Sequence, residues 1–98
     1  MNAEQIATII QEIRNEQHPI ENDATLEGYI KHAEYNLNDY AGAVIDYNKD
    51  LDARALLKNY VFYARYKRLA EFKSVYEGEY CDLQARYYKP ADIQWWLL

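Results

Sequence analysis

Residues 52–88, DARALLKNYVFYARYKRLAEFKSVYEGEYCDLQARYY, carry the reading of the fold. Leu56, Leu57, Tyr60, Tyr63, Ala64, Leu69, Phe72, Tyr76, Tyr80, Leu83 and Tyr87 recur in steps of three and four. Apolar side chains at that spacing gather on one face of an α-helix. Asp50 or Asp52 supplies an N-cap oxygen for the first turn. Gly78 interrupts the run, yet the spacing passes straight through it at a glycine cost of about 1 kcal/mol. The pattern predicts a long helix reaching Tyr88, with a bend or break near Gly78, and Lys89-Pro90 ends it. Unbroken, this helix would extend about 55 Å, beyond the roughly 34 Å diameter of a compact chain of this length. Either Gly78 folds the chain back or neighbouring subunits cover the overhanging stripe.

Upstream, Ile6, Ile9, Ile10 and Ile13 define an amphipathic helix over about residues 3–15, with Asn2 and Gln5 spaced as a capping box. His18-Pro19 stops it, because a residue before proline avoids the α region. After a loop to about residue 22, Asn22 or Asp23 caps a second helix. Its stripe is Leu26, Tyr29, Ile30, Ala33, Leu37, Tyr40 and Ala41, and Gly42 sits where a left-handed end is expected. Residues 43–49 are too short for more than a brief extended piece, and Asp46 and Asn48 are turn formers. The expected architecture is all-α: a small bundle of three to four helices over residues 1–90 with a long C-terminal helix. Residues 91–98 form an apolar tail.

That tail holds Ile93, Trp95, Trp96, Leu97 and Leu98. Its two tryptophans alone offer roughly 300–500 Å² of apolar area, as much as the largest patch a typical monomer exposes. At about 25 cal/mol per Å² this is a gross gain of about 7–12 kcal/mol, an upper bound before ordering entropy. Folding back on its own helices, docking on a neighbour and disorder are the three alternatives.

The 98 residues carry a net charge of −5, unevenly spread. Residues 1–52 hold eleven acids against three bases, and residues 53–98 hold five against eight. The two halves suit a contact between copies, or both charge sets are simply solvated. An acidic total disfavours autonomous nucleic-acid binding. The single cysteine, Cys81, allows no internal disulfide, and eleven tyrosines suit packing at wet surfaces. No apolar run is long enough to span a membrane, and residues 1–10 lack the basic start of a signal peptide. Neither secretion nor membrane association is expected.

Catalytic constellations do not emerge. His18 is in a loop and His32 mid-helix, neither at a catalytic or zinc spacing with Cys81 or an acid. Cys81, beside the stripe, reads as a small semi-buried residue. Asp46, Asp50 and Asp52 alternate as in a calcium loop, but no glycine marks the sharp turn and Leu57 stands at the twelfth position. They read as turn and cap residues. Lys58, Arg65, Lys67, Arg68 and Lys73 form a basic face interleaved with Tyr63, Tyr66 and Phe72. A solvated face, an intersubunit contact to the acidic half and a nucleic-acid surface are its alternatives.

The runs Asp52-Ala53-Arg54-Ala55-Leu56-Leu57 and Tyr60-Val61-Phe62-Tyr63-Ala64-Arg65, followed by Leu69, Phe72, Tyr76, Glu79 and Leu83, resemble the helical core of head-tail connector (adaptor, or head completion) proteins of long-tailed bacteriophages and prophages. The helix from Asp23 to Tyr40 is similar to the family's second helix, so the resemblance covers about residues 20–88. The first helix and the Trp-rich tail depart from the family pattern. The resemblance implies a non-enzymatic virion-neck subunit without a cofactor, made in the host bacterial cytoplasm. It implies assembly as a ring with copies of itself on the portal protein, and a dock for the next neck or tail-completion protein. DNA would meet it only in passing through the channel. Tyr76, Tyr80, Tyr87, Ile93, Trp95, Trp96, Leu97 and Leu98 are the expected contacts with neighbours or portal. The alternative is a small intracellular binding or regulatory module whose basic face engages an acidic partner or nucleic acid.

Overall fold

A computed structural model of the chain describes residues 1–88. Among these residues five helices follow one another: α1 (Ala3–Gln17), α2 (Asp23–Ala41), α3 (Leu51–Arg65), α4 (Leu69–Val75) and α5 (Glu77–Arg86). The all-α expectation holds. The first two helices end where local chemistry dictates. Asn2 accepts from the Gln5 backbone N–H at 2.8 Å while the Gln5 side chain accepts from the Asn2 N–H at 2.9 Å, closing the capping box. Asn22 caps α2 through the Thr25 N–H, and Asp50 caps α3 through the Ala53 N–H. At the other end of α2, Gly42 has φ +69°, a left-handed residue that glycine adopts without a Cβ clash. α1 closes on His18, also left-handed at φ +49°, whose N–H returns to the Arg14 carbonyl.

The long C-terminal helix is not formed. α3 ends at Arg65 in a Schellman closure, in which the Lys67 N–H bonds the Ala64 carbonyl at 3.1 Å and the Arg68 N–H bonds the Tyr63 carbonyl at 2.9 Å. The left-handed residue of this closure is Lys67, at φ +58°, rather than a glycine. A second interruption falls at Tyr76, between α4 and α5 and two residues before Gly78, so the chain does break near that glycine although Gly78 itself lies inside α5. Three short helices therefore replace one of about 55 Å, and the aromatic stripe turns back on its own domain.

Ile6, Ile9, Ile10 and Ile13 of α1 meet Leu26, Ile30, Ala33 and Leu37 of α2 and Leu56, Leu57, Tyr60 and Val61 of α3 in one core. Ile45 and Tyr47 join it from the α2–α3 connection, held by Asn38: its Oδ1 accepts from the Tyr47 hydroxyl at 2.9 Å and the Ile45 N–H at 3.3 Å. The connection is thus a packed strap. Phe72 is fully buried among rings, with centroids 5.2 Å from Tyr60, 5.4 Å from Tyr63, 4.8 Å from Tyr76 and 5.8 Å from Tyr80. Separations of this kind suit edge-to-face and tilted pairing, and they clamp α4 and α5 onto α3.

Candidate functional site

The basic face expected on α3 is largely engaged within the chain. Lys58 Nζ lies 3.1 Å from Glu12 and 2.9 Å from Glu16, and its side chain is 16% exposed. Arg65 Nε donates to Glu21 Oε1 at 3.0 Å and its NH1 group to Gln17 Oε1 at 3.0 Å, leaving the side chain 6% exposed. Arg54 joins the same row, donating through Nε to Glu12 at 3.0 Å, pairing with the second Glu12 oxygen, and reaching the Tyr47 carbonyl and Asn48. The Gln17 side chain donates to the Lys58 carbonyl at 3.0 Å. Part of the complementary charge of the two halves is therefore used within the chain, between α3 and the acids of α1 and the α1–α2 connection.

These pairs bias protonation. The hydrogen bond from Arg54 holds the Glu12 carboxyl below its ordinary range, against the opposing effect of burial. Burial pushes Glu21 upward, but Arg65 and backbone donors outweigh it and the net shift is downward. Lys58 is raised, because burial, which lowers it, is overcome by its bonds to Glu16 and Glu12. Lys67, Arg68 and Lys73 remain at the surface: Arg68 pairs with Glu71 at 2.6 Å, and Lys73 Nζ stands 4.9 Å from the Tyr40 ring centroid.

The tyrosines expected to meet neighbours also face inward to differing degrees. Tyr80 is 3% exposed, packs on Tyr40 at 4.8 Å and donates its hydroxyl to Asn36 Oδ1 at 3.0 Å, so it offers almost no surface to a partner. Burial, with Tyr60 and Tyr40 nearby, pushes its hydroxyl up to about 12. Tyr76 is half-buried against Tyr63 and Phe72. Tyr87 donates to Asp50 Oδ2 at 2.8 Å. Arg86 bonds both oxygens of that same carboxylate, so Asp50 caps α3 and anchors the end of α5 together. Ile93, Trp95, Trp96, Leu97 and Leu98 lie outside the described residues.

The remaining candidates are placed as follows. His32 Nδ1 shares a 2.7 Å hydrogen bond with the Tyr60 hydroxyl, and His18 ends α1. Cys81 is exposed, not semi-buried, because α5 turns Tyr80 and Leu83 inward and leaves the position between them outside. Asp46 accepts from the Asn48 N–H at 3.0 Å, as its turn reading requires. Among the described residues no group of three or more His, Cys, Asp or Glu is placed to hold a metal ion, and no helix is long and apolar enough to cross a membrane. An acidic cleft of about 350 Å³ separates α3 from α5, lined by Asp52, Asn59, Glu79, Asp82 and Arg86.

Large apolar side chains are exposed at several separate places among the described residues, including Tyr35 on α2 and Val75 at the end of α4. Ile20 (97% exposed), Phe62 and Tyr66 lie toward the C-terminal end of α3, and Val44 (89% exposed), Leu51 and Tyr88 toward its N-terminal end. The contacts of Gln17 and Glu21 with Arg65 hold the α1–α2 connection beside the end of α3, those of Arg86 and Tyr87 with Asp50 hold the end of α5 beside its start, and Val44 lines a separate shallow groove with Lys31, Tyr35 and Asp39. Periodicity does not single these residues out, because Ile20 and Val44 lie in connections and Phe62 and Tyr66 share stretches whose other members form the core. No protein-family model, curated protein or solved structure matches the chain.

Proposed function

We propose that this chain is a structural head-tail connector subunit, which assembles as a ring on a phage portal and joins the DNA-filled head to the tail at the virion neck. The observation that carries the reading is the stretch 52–83. The residues on which the resemblance rests, among them Leu56, Leu57, Tyr60, Val61, Phe72 and Leu83, form the packed centre of an all-helical domain. Support also comes from the use of chemistry-bearing side chains: His32, Asp50, Arg54 and Arg65 serve to fasten helices together. The partners are further copies of the chain, the portal, and the next neck or tail-completion protein, with DNA met only in the channel.

The test is solution mass by light scattering, first alone and then with portal-bearing capsids. A ring, or a monomer that becomes a ring on the portal, is the expected result; a monomer indifferent to capsids overturns the reading. Removal of residues 91–98 should weaken capsid binding, and unchanged assembly would remove the tail from the contact. The alternative, a basic module for acidic partners or nucleic acid, is left with Lys67, Arg68 and Lys73, because Lys58 and Arg65 are held by carboxylates. A strong salt-dependent shift of duplex DNA would favour it.

A further inference from the structure

We infer that the segment after Tyr88 straps its own chain, running along the outward stripe of α3 with Trp95 and Trp96 against Phe62 and Tyr66. Asp52, Ala55, Asn59, Phe62 and Tyr66 follow one another in steps of three and four, so they face the same way, and none belongs to the core. Ala55 and Asn59 line both the α3–α5 cleft and a shallow hollow beside Glu16 of α1. Phe62 joins that hollow to a small cleft of about 280 Å³ with Tyr63 and Tyr66. The stripe is therefore one continuous surface with two unlike ends. At its start, Asp52, Glu79 and Asp82 make no ion pair with a described residue, and Arg86, the one cation lining their cleft, is committed to Asp50. At its far end the Phe62 and Tyr66 rings stand 4.9 Å apart, 42% and 58% exposed.

The place where the chain leaves α5 selects the occupant. Arg86 and Tyr87 bond Asp50 and share a hollow with Asp52, so the segment that follows starts at the acidic end of the stripe. Its first side chain is a cation, Lys89, and the proline after it keeps that residue out of the α region. Phe62 lies about 15 Å and Tyr66 about 21 Å beyond Asp52 along α3. Seven extended residues from Tyr88 to Trp95 span up to about 23–25 Å. A segment laid beside α3 thus brings its cation to the acids and its two indoles to the two rings. The groove on α2 matches less well, offering a single ring, Tyr35, beside Lys31. The strap needs neither a second copy nor a portal, so it stands apart from the connector reading. Any partner that takes the two tryptophans must first lift them off α3.

Trp95 and Trp96 are the only tryptophans of the chain, so its indole fluorescence reports this segment alone. In the full-length protein, kept reduced because Cys81 is exposed, acrylamide should quench that emission several-fold less efficiently than in the urea-unfolded chain. The protection should not depend on protein concentration. Phe62→Ser with Tyr66→Ser should shift the emission to the red and raise quenching toward the unfolded value, with helix content unchanged by circular dichroism. If that pair unfolds the chain, Ala55→Glu, a helix-tolerated change in the middle of the stripe, reads the same displacement. Tyr35→Ser with Val44→Ser, in the α2 groove, should change nothing. Quenching in the parent as easy as in urea, protection that falls on dilution, or protection that survives the change of Phe62 and Tyr66 overturns the inference. Loss of protection on changing Tyr35 and Val44 overturns it too, and places the segment on α2.

Discussion

Phe72→Ala is the substitution that most directly tests how the C-terminal third is attached. The ring is fully buried and meets four tyrosines, so its removal loses contacts on every side. An aromatic side chain buries about 150–200 Å², which at about 25 cal/mol per Å² corresponds to about 4–5 kcal/mol as an upper bound. Phenylalanine truncations in packed cores cost about 3–5 kcal/mol. A domain of this size has about 5–15 kcal/mol in total, so the variant loses a large share of it. The loss should be local first. α4 and α5, of 7 and 10 residues, are too short to persist as isolated helices, and Phe72 is their central attachment to α3. Urea unfolding followed by circular dichroism reads the total, and amide exchange reads the locality. Phe72→Leu, which keeps most of the volume, should cost less than about 1.5 kcal/mol. If Phe72→Ala lies within about 1 kcal/mol of the parent, or exchange in residues 69–86 rises no more than in α1–α3, the clamp is not what holds these helices.

Three further outcomes follow from named contacts. Glu12→Gln removes the shared partner of Arg54 and Lys58 and should cost about 1–3 kcal/mol at neutral pH. The folded carboxyl titrates below its ordinary value of 4.5, so its contribution is complete above that value and lost as pH falls through the lower folded one. The gap in urea midpoint between parent and variant should therefore close toward acid, and a gap that persists there would contradict the ion-pair account. Lys67→Gly should stabilise by about 0.5–1 kcal/mol, since a left-handed lysine carries a steric cost that glycine lacks; a lower melting temperature would refute the Schellman assignment. Gly78→Ala, inside α5 with open space for the added methyl, should stabilise by a similar about 0.5–1 kcal/mol, and destabilisation in the same melt would show a role for the glycine.

The helices of the N-terminal half were legible because their signals are local. Isoleucines at three-and-four spacing, Asn2 with Gln5, Asn22 and Gly42 each act within one turn of their own position, and the elements begin and end within about two residues of the reading. The C-terminal half misled for a physical reason. Its stripe is continuous, but the left-handed residue that ends α3 is a lysine, and a closure without glycine leaves no mark in the sequence. The break expected near Gly78 does occur, but at Tyr76, and the glycine itself sits inside α5. Ile45 and Tyr47 lie in a connection, yet they pack into the core while Asn38, on the preceding helix, bonds the Ile45 N–H and the Tyr47 hydroxyl. The candidate site was less legible still. Lys58 and Arg65 read as surface cations on α3, and only the position of α1 alongside turns them into bonds with residues more than 40 positions away.

The row of ion pairs between α1 and α3 also bears on the order in which the molecule is made. Residues 1–52 leave the ribosome with eight negative charges in excess, and the cations that answer Glu12, Glu16 and Glu21 arrive only with Arg54, Lys58 and Arg65. Until then the α1–α2 hairpin carries an excess of acids that only Arg14–Asp23 and the few other internal pairs offset, and the side of its isoleucines and leucines that meets Leu56, Leu57 and Val61 faces water. Emergence of α3 supplies both the missing core and the missing charge, so the α1–α2 hairpin should not settle into its native packing until α3 is there to meet it.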